Sequence, residues 1–180
     1  MKKIRNLVIN IIGSILIITT LSWANNPVII TDGFTTINLS DHIEYYEDAS
    51  NELSINDFLY SDKYKFRPIG TYKNLGYSRS SYWIRFQFTD KRTHPSEPHV
   101  ALLLNAKGLN YVDFYLLNGE GHCVDSSFTG SSRSASLKPR PEENISFIFT
   151  PQPDKKQTIY LQIKSNDSII LDFSLMENQV

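Results

Sequence analysis

Large apolar and polar residues alternate from Tyr82 to Phe88. Tyr82, Ile84, Phe86 and Phe88 fall on one parity; Trp83, Arg85 and Gln87 fall on the other. A period of two is that of a β-strand with one face in a core and the other outside it. The alternation returns at Tyr111 to Leu117, where Tyr111, Asp113 and Tyr115 oppose Val112, Phe114 and Leu116. Shorter apolar or alternating runs predict further strands at 35–39, 42–46, 99–104, 122–129, 145–149, 158–164 and 168–176. Turn residues separate them, among them Ser40-Asp41, Ser50-Asn51, Asn118-Gly119-Glu120-Gly121 and Ser165-Asn166-Asp167. Ser54 followed three places on by Asp57 predicts a helix start, with Ile55, Phe58 and Leu59 on one face of one to two turns. That helix is expected to act as a small lid over one end of the fold. Nine or ten short strands at regular spacing with one short helix predict an all-β chain. The expected fold is an antiparallel β-sandwich, most simply a jelly roll.

Composition supports one domain: 180 residues, 41% hydrophobic and 12% aromatic, suffice for a proper core. The net charge of −1 offers no electrostatic case for nucleic acid. One stretch does not belong to the sandwich. Lys2, Lys3 and Arg5 precede an apolar run over 7–21, and Ser22 and Ala24 supply the small residues of a signal-peptidase site. The run is short for a membrane span. The expected organisation is therefore a signal peptide over 1–24, a lead-in over 25–36, the sandwich over 37–176 and a tail over 177–180, with a retained signal anchor as the alternative. Cleavage would remove three bases and no acid, leaving 15 against 19 and a net charge of −4. Cys123 is the only cysteine, so no internal disulfide forms; the free thiol is expected to be buried and inert.

The candidate chemistry is recognition rather than catalysis. His42, His94, His99 and His122 are scattered singly, which predicts no metal site and no cofactor. Neither a nucleophile elbow nor a phosphate-cradling glycine loop is written in the chain. No spacing selects a facing pair of carboxylates, and Asp113, beside two tyrosines, is the one acid worth testing. Trp, Tyr and Arg beside amides and carboxylates are what sugar or small amphiphile recognition uses: rings stack, and Arg and Asp take hydroxyls or a carboxylate. Trp83 and Arg85 on the outward parity, with Asp113 and Tyr115, make that set. Trp83 packing at a core or rim, and tyrosines that cap a core with their hydroxyls in water, account for the same residues without a ligand. The polar insertion at 130–143, with Arg133, Lys138 and Arg140, is too long for a hairpin turn.

Leu53-Ser54-Ile55-Asn56-Asp57, Gly76, Tyr82-Trp83-Ile84-Arg85-Phe86, Val112-Asp113-Phe114-Tyr115-Leu116, Gly130, Arg140, Phe147-Ile148-Phe149 and 158–165 occur in one order. In these motifs the chain resembles the type 2 extracellular domain of seven-transmembrane receptors with diverse intracellular signalling modules (7TMR-DISM), over about 37–176. The resemblance implies a periplasmic jelly-roll sensor domain of bacterial receptors, similar to carbohydrate-binding modules. With the residues above, the expected function is non-enzymatic binding of a carbohydrate or other small polar ligand for bacterial signal transduction. It carries Trp83, Arg85, Tyr115 and Arg140 over as ligand-face positions. The stretch after Arg140 reads Pro-Glu-Glu-Asn where the family pattern implies a more basic or histidine-bearing segment. Because the sequence given stops at Val180, before any membrane helix, it is expected to be a stand-alone binding domain or part of a truncated receptor. The alternative function is an interaction module that docks on a membrane receptor or kinase ectodomain.

Overall fold

Thirteen strands and one helix follow one another among the residues described by the computed structural model, 27–61, 63–69, 74–95, 98–106, 108–134, 136 and 144–177. They are β1 (Val28–Ile30), β2 (Thr36–Asn38), β3 (Glu44–Asp48), α1 (Ile55–Leu59), β4 (Arg67–Pro68), β5 (Asn74–Gly76), β6 (Ser81–Asp90), β7 (Val100–Leu104), β8 (Tyr111–Leu117), β9 (Cys123–Thr129), β10 (Ile145–Phe149), β11 (Lys156–Lys164), β12 (Ile169–Ile170) and β13 (Phe173–Glu177). The larger sheet runs β4-β3-β6-β11-β8-β9, and the smaller one runs β10-β7-β13-β2. Without β1, β3, β4, β5 and β12, the chain threads the two four-stranded sheets β6-β11-β8-β9 and β2-β13-β7-β10. That is the double Greek key of a jelly roll. The fold is thus the antiparallel sandwich with one short helix that the alternation predicts.

Period two decides which residues fill the space between the sheets. Tyr82, Ile84, Phe86 and Phe88 of β6 meet Val112, Phe114 and Leu116 of β8, Ile159, Leu161 and Ile163 of β11, and Phe147 and Phe149 of β10 in one core. Phe114 stacks on Phe147 with ring centroids 4.9 Å apart. The lead-in contributes more than an extended approach: β1 pairs in parallel with Phe88–Asp90 and sends Val28 and Ile30 into the core. At that end of β6, Asp90 and Arg92 form a buried ion pair at 2.9 Å.

Two expectations fail here, one on burial and one on position. Cys123 is exposed, not buried. It opens β9, which ends the larger sheet and is exposed at every position from Cys123 to Phe128. The helix α1 lies over the outer face of the larger sheet instead of one end of the sandwich. Its start is as predicted: the Ser54 N–H and hydroxyl both donate to the Asp57 carboxylate at 2.8 Å. These bonds, the backbone one first, hold the Asp57 carboxyl below its ordinary value. Ile55, Phe58 and Leu59 of α1, with Phe66 beyond it, pack on Trp83, Leu117 and Tyr160 as a second apolar cluster. A five-residue helix makes too few internal hydrogen bonds to stand alone, so this packing is what holds it.

Candidate functional site

The register across β6, β11 and β8 brings the sequence-predicted residues together on the outer face of the larger sheet. Trp83 stands opposite Gln162, which stands opposite Asp113; Arg85 stands opposite Tyr160, which stands opposite Tyr115. β9 extends the two rows with Phe128 and Ser126. Four of the five candidates therefore share one face in two adjacent rows. The fifth, Arg140, lies outside the described residues.

Along those rows the environment changes from closed to open. Trp83, expected to be presented outward, is 0% exposed. Phe58 of α1 covers it at 4.8 Å between ring centroids, and Tyr115 flanks it at 6.2 Å and 23°. Trp83 thus lies under Phe58 and beside Tyr115 and is not a surface a ligand can reach. Arg85 is half-buried and already engaged: its Nε donates to Glu44 Oε2 at 2.8 Å, and its guanidinium lies 4.2 Å over the Phe66 ring. The helix that reaches across the sheet closes over Trp83, and Arg85 is held at the rim of that cap by Glu44 and Phe66.

Beyond the cap the face opens over β8 and β9. Tyr115 is half-buried and meets Phe128 edge-on at 5.9 Å. Asp113, also half-buried, pairs with Arg133 from the turn that follows β9. Arg133 further donates from Nε to the Thr129 carbonyl and lies 5.3 and 5.6 Å over the rings of Tyr111 and Phe128. Those two rings are 40% and 39% exposed. Sequence reasoning placed Arg133 in the long insertion but assigned it no role; only the backbone path after Thr129 turns it back onto the sheet. Arg133 N–H to Gly130 carbonyl, Ser132 N–H to Asn110 carbonyl and Asn110 Nδ2 to Ser132 Oγ fix that path.

Burial pushes the Asp113 carboxyl above its ordinary 3.8, and the Arg133 guanidinium opposes the shift without cancelling it. Burial likewise raises the Tyr115 phenol, with the Asp113 charge adding to it. The folded chain then holds the Asp113 proton more tightly than the unfolded chain does. The carboxyl's contribution to stability is fully present below 3.8 and is lost as pH rises through the folded value. Urea midpoints of the protein and of Asp113→Asn, taken from pH 3.5 upward, should therefore diverge, the native carboxyl losing ground to the amide as pH rises. A difference that stays flat, or grows in favour of the carboxyl, refutes the assignment.

Comparison with known proteins bears on fold and family separately. Among solved structures, a β-glucuronidase from Ruminococcus gnavus in complex with N1-substituted uronic isofagomine is 8% identical, with a TM-score of 0.40 over 86% of this chain and 31% of that one. A family 35 carbohydrate binding module from Clostridium thermocellum is 11% identical, with a TM-score of 0.36 over 81% of this chain and 100% of that one. The chain spans about a third of the length of the glucuronidase (31%). Likenesses this distant carry no functional argument, and the jelly roll rests on the strand order. No curated protein matches the chain. The family model described as 7TMR-DISM extracellular 2 matches residues 40–177, from the turn before β3 to the end of β13, and the chain belongs to that family of extracellular receptor domains.

Proposed function

We propose that the chain is a non-enzymatic, periplasmic sensory domain that binds a saccharide or other small polar ligand on the open part of the outer face, over β11, β8 and β9. Its family membership supports a sensory role outside the membrane. One observation carries the site: the half-buried Asp113–Arg133 pair, with Tyr115 beside it, sits between the exposed rings of Tyr111 and Phe128. Rings at fixed spacing on a sheet offer stacking surfaces for the apolar face of a sugar. Arg133 has five N–H donors and, among the described residues, uses two of them, on Asp113 and Thr129, which leaves others for ligand hydroxyls. Gln162, between Trp83 and Asp113 in its row, supplies an amide that can both donate and accept.

The test is a thermal-shift screen against neutral sugars, cell-wall fragments and organic acids. A ligand at a hundredfold excess over its Kd stabilises the folded state by about 2.7 kcal/mol. For a domain of this size the melting point then rises by about 5–10 °C. Tyr115→Ala should abolish the shift while the melt stays cooperative. A ligand whose shift survives both Tyr115→Ala and Arg133→Gln binds elsewhere, and this site would be wrong.

A further inference from the structure

A second convergence of ring, cation and amide lies at the end of the sandwich where β5 leads into β6 and β11 leads into β12. Tyr77, Ser78, Arg79 and Asn166 line an open cleft of about 400 Å3 there. That is room for a ligand of monosaccharide size. The backbone of both walls is tied down. The short ladder between β5 and β12 sets Ile169 opposite Gly76, and Ser168 Oγ donates to Asn74 Oδ1 at 2.9 Å. Asn51 Nδ2 holds the Arg79 carbonyl at 3.0 Å, and Asn110 Oδ1 accepts the Asn166 N–H at 2.6 Å.

Of the side chains in the cleft, Ser78 accepts the Ser80 N–H on its Oγ at 3.0 Å, and the others are left open by comparison. Tyr77 is 80% exposed. Neither the Arg79 guanidinium nor the Asn166 side-chain amide has a hydrogen-bond or ion-pair partner among the described residues. Glu47, the acid beside this loop, accepts instead from the Ser80 and Tyr82 hydroxyls at 2.9 and 3.2 Å. Among the described residues the lining therefore presents one unpaired cation and no carboxylate. A guanidinium fork takes a carboxylate with two parallel bonds, and a tyrosine ring stacks on the apolar face of a sugar.

We propose that this cleft binds a small acidic saccharide, with Arg79 on the carboxylate, Tyr77 against the sugar ring and Asn166 on a ring hydroxyl. The site is separate from the β8–β9 face and rests on the reading above only in taking the domain to bind small ligands.

The experiment is a backbone amide NMR titration of the protein with D-glucuronate, D-glucose and acetate as probes. Saturable shifts should cluster at 77–79 and 165–167 for glucuronate. Arg79→Gln should weaken that binding by about tenfold or more, since it removes a charge-assisted pair of hydrogen bonds. Lys91→Gln, which removes an exposed cation away from both sites, should leave it unchanged. Glucose binding as well as glucuronate would overturn the carboxylate assignment, and acetate doing so would overturn the saccharide. An Arg79→Gln affinity within twofold of the native one would remove the cleft as a site. Saturable shifts confined to β8 and β9 would do the same and leave the outer-face reading standing.

Discussion

Trp83→Ala should lower the free energy of unfolding by about 3–5 kcal/mol. The indole is 0% exposed and forms the floor of the second apolar cluster, under Phe58 and beside Tyr115, Leu117 and Tyr160. Truncation removes the burial of the ring and leaves a cavity that the sheet below cannot collapse to fill. Among the described residues Trp83 Nε1 is buried without a hydrogen-bond partner, so no bond to them is lost with the ring. Trp83→Phe should consequently recover more than half of the loss. Phe58→Ala in the same background should be non-additive by 0.5 kcal/mol or more on the usual scale of about 0.5–3 kcal/mol for residues in contact. Urea unfolding with an unchanged m-value checks all three variants. A Trp83→Ala loss below about 1 kcal/mol would mean that α1 is not seated on the ring, and Trp83 would return to the list of possible ligand contacts. The variant should also weaken any ligand held by Tyr115, through loss of the ring behind it, and so a binding defect alone would not make Trp83 a contact.

The sequence reveals the sandwich because two-residue periodicity survives in the long strands β6, β8 and β11. Tyr82 to Phe88, Tyr111 to Leu117 and 158–164 each place their apolar parity in the inter-sheet core. The same period says nothing about what covers the other parity. Trp83 stands among Arg85 and Gln87, which reads as an outward row, and only the third dimension brings Phe58 over it. Ile55, Phe58 and Leu59 announce an amphipathic turn that needs an apolar surface, but helical periodicity does not name the surface. A tryptophan on an otherwise polar parity was the clue to it. β1 was hidden for another reason: three residues pairing in parallel with a strand more than fifty positions away leave no local turn signal. Cys123 departs from the usual burial of free cysteines because an edge strand has little to bury against. The acidic candidate was found as a residue, but its partner was not. Arg133 reaches Asp113 by way of a turn whose shape depends on a single glycine.

That glycine carries the second large effect. Gly130→Ala should destabilise the fold by about 3 kcal/mol or more, combining backbone strain with a steric clash. Gly130 has φ of +133°, a conformation that side chains other than hydrogen rarely allow. A Cβ there would come within 2.7 Å of the Asn110 carbonyl carbon and 2.8 Å of the Tyr111 Cα, and closer still to the Asn110 oxygen. Neither neighbour can retreat. Tyr111 begins β8 and is paired with Lys164, while the Asn110 carbonyl accepts the Ser132 N–H at 3.1 Å. Gly121→Ala is the control: its φ is +83°, but nothing lies within 4 Å of the added atom. That variant should pay only the conformational term, about 1 kcal/mol. The two alanines should also differ at Asp113. Displacing the 130–133 turn takes the guanidinium away from a carboxyl that burial already raises, so its folded value should climb further. The pH-dependent loss of stability should then extend to higher pH in Gly130→Ala and stay in place in Gly121→Ala. Equal losses in the two variants, or an unmoved pH profile in the first, would mean that the turn is free to rebuild and that Arg133 is not positioned by it.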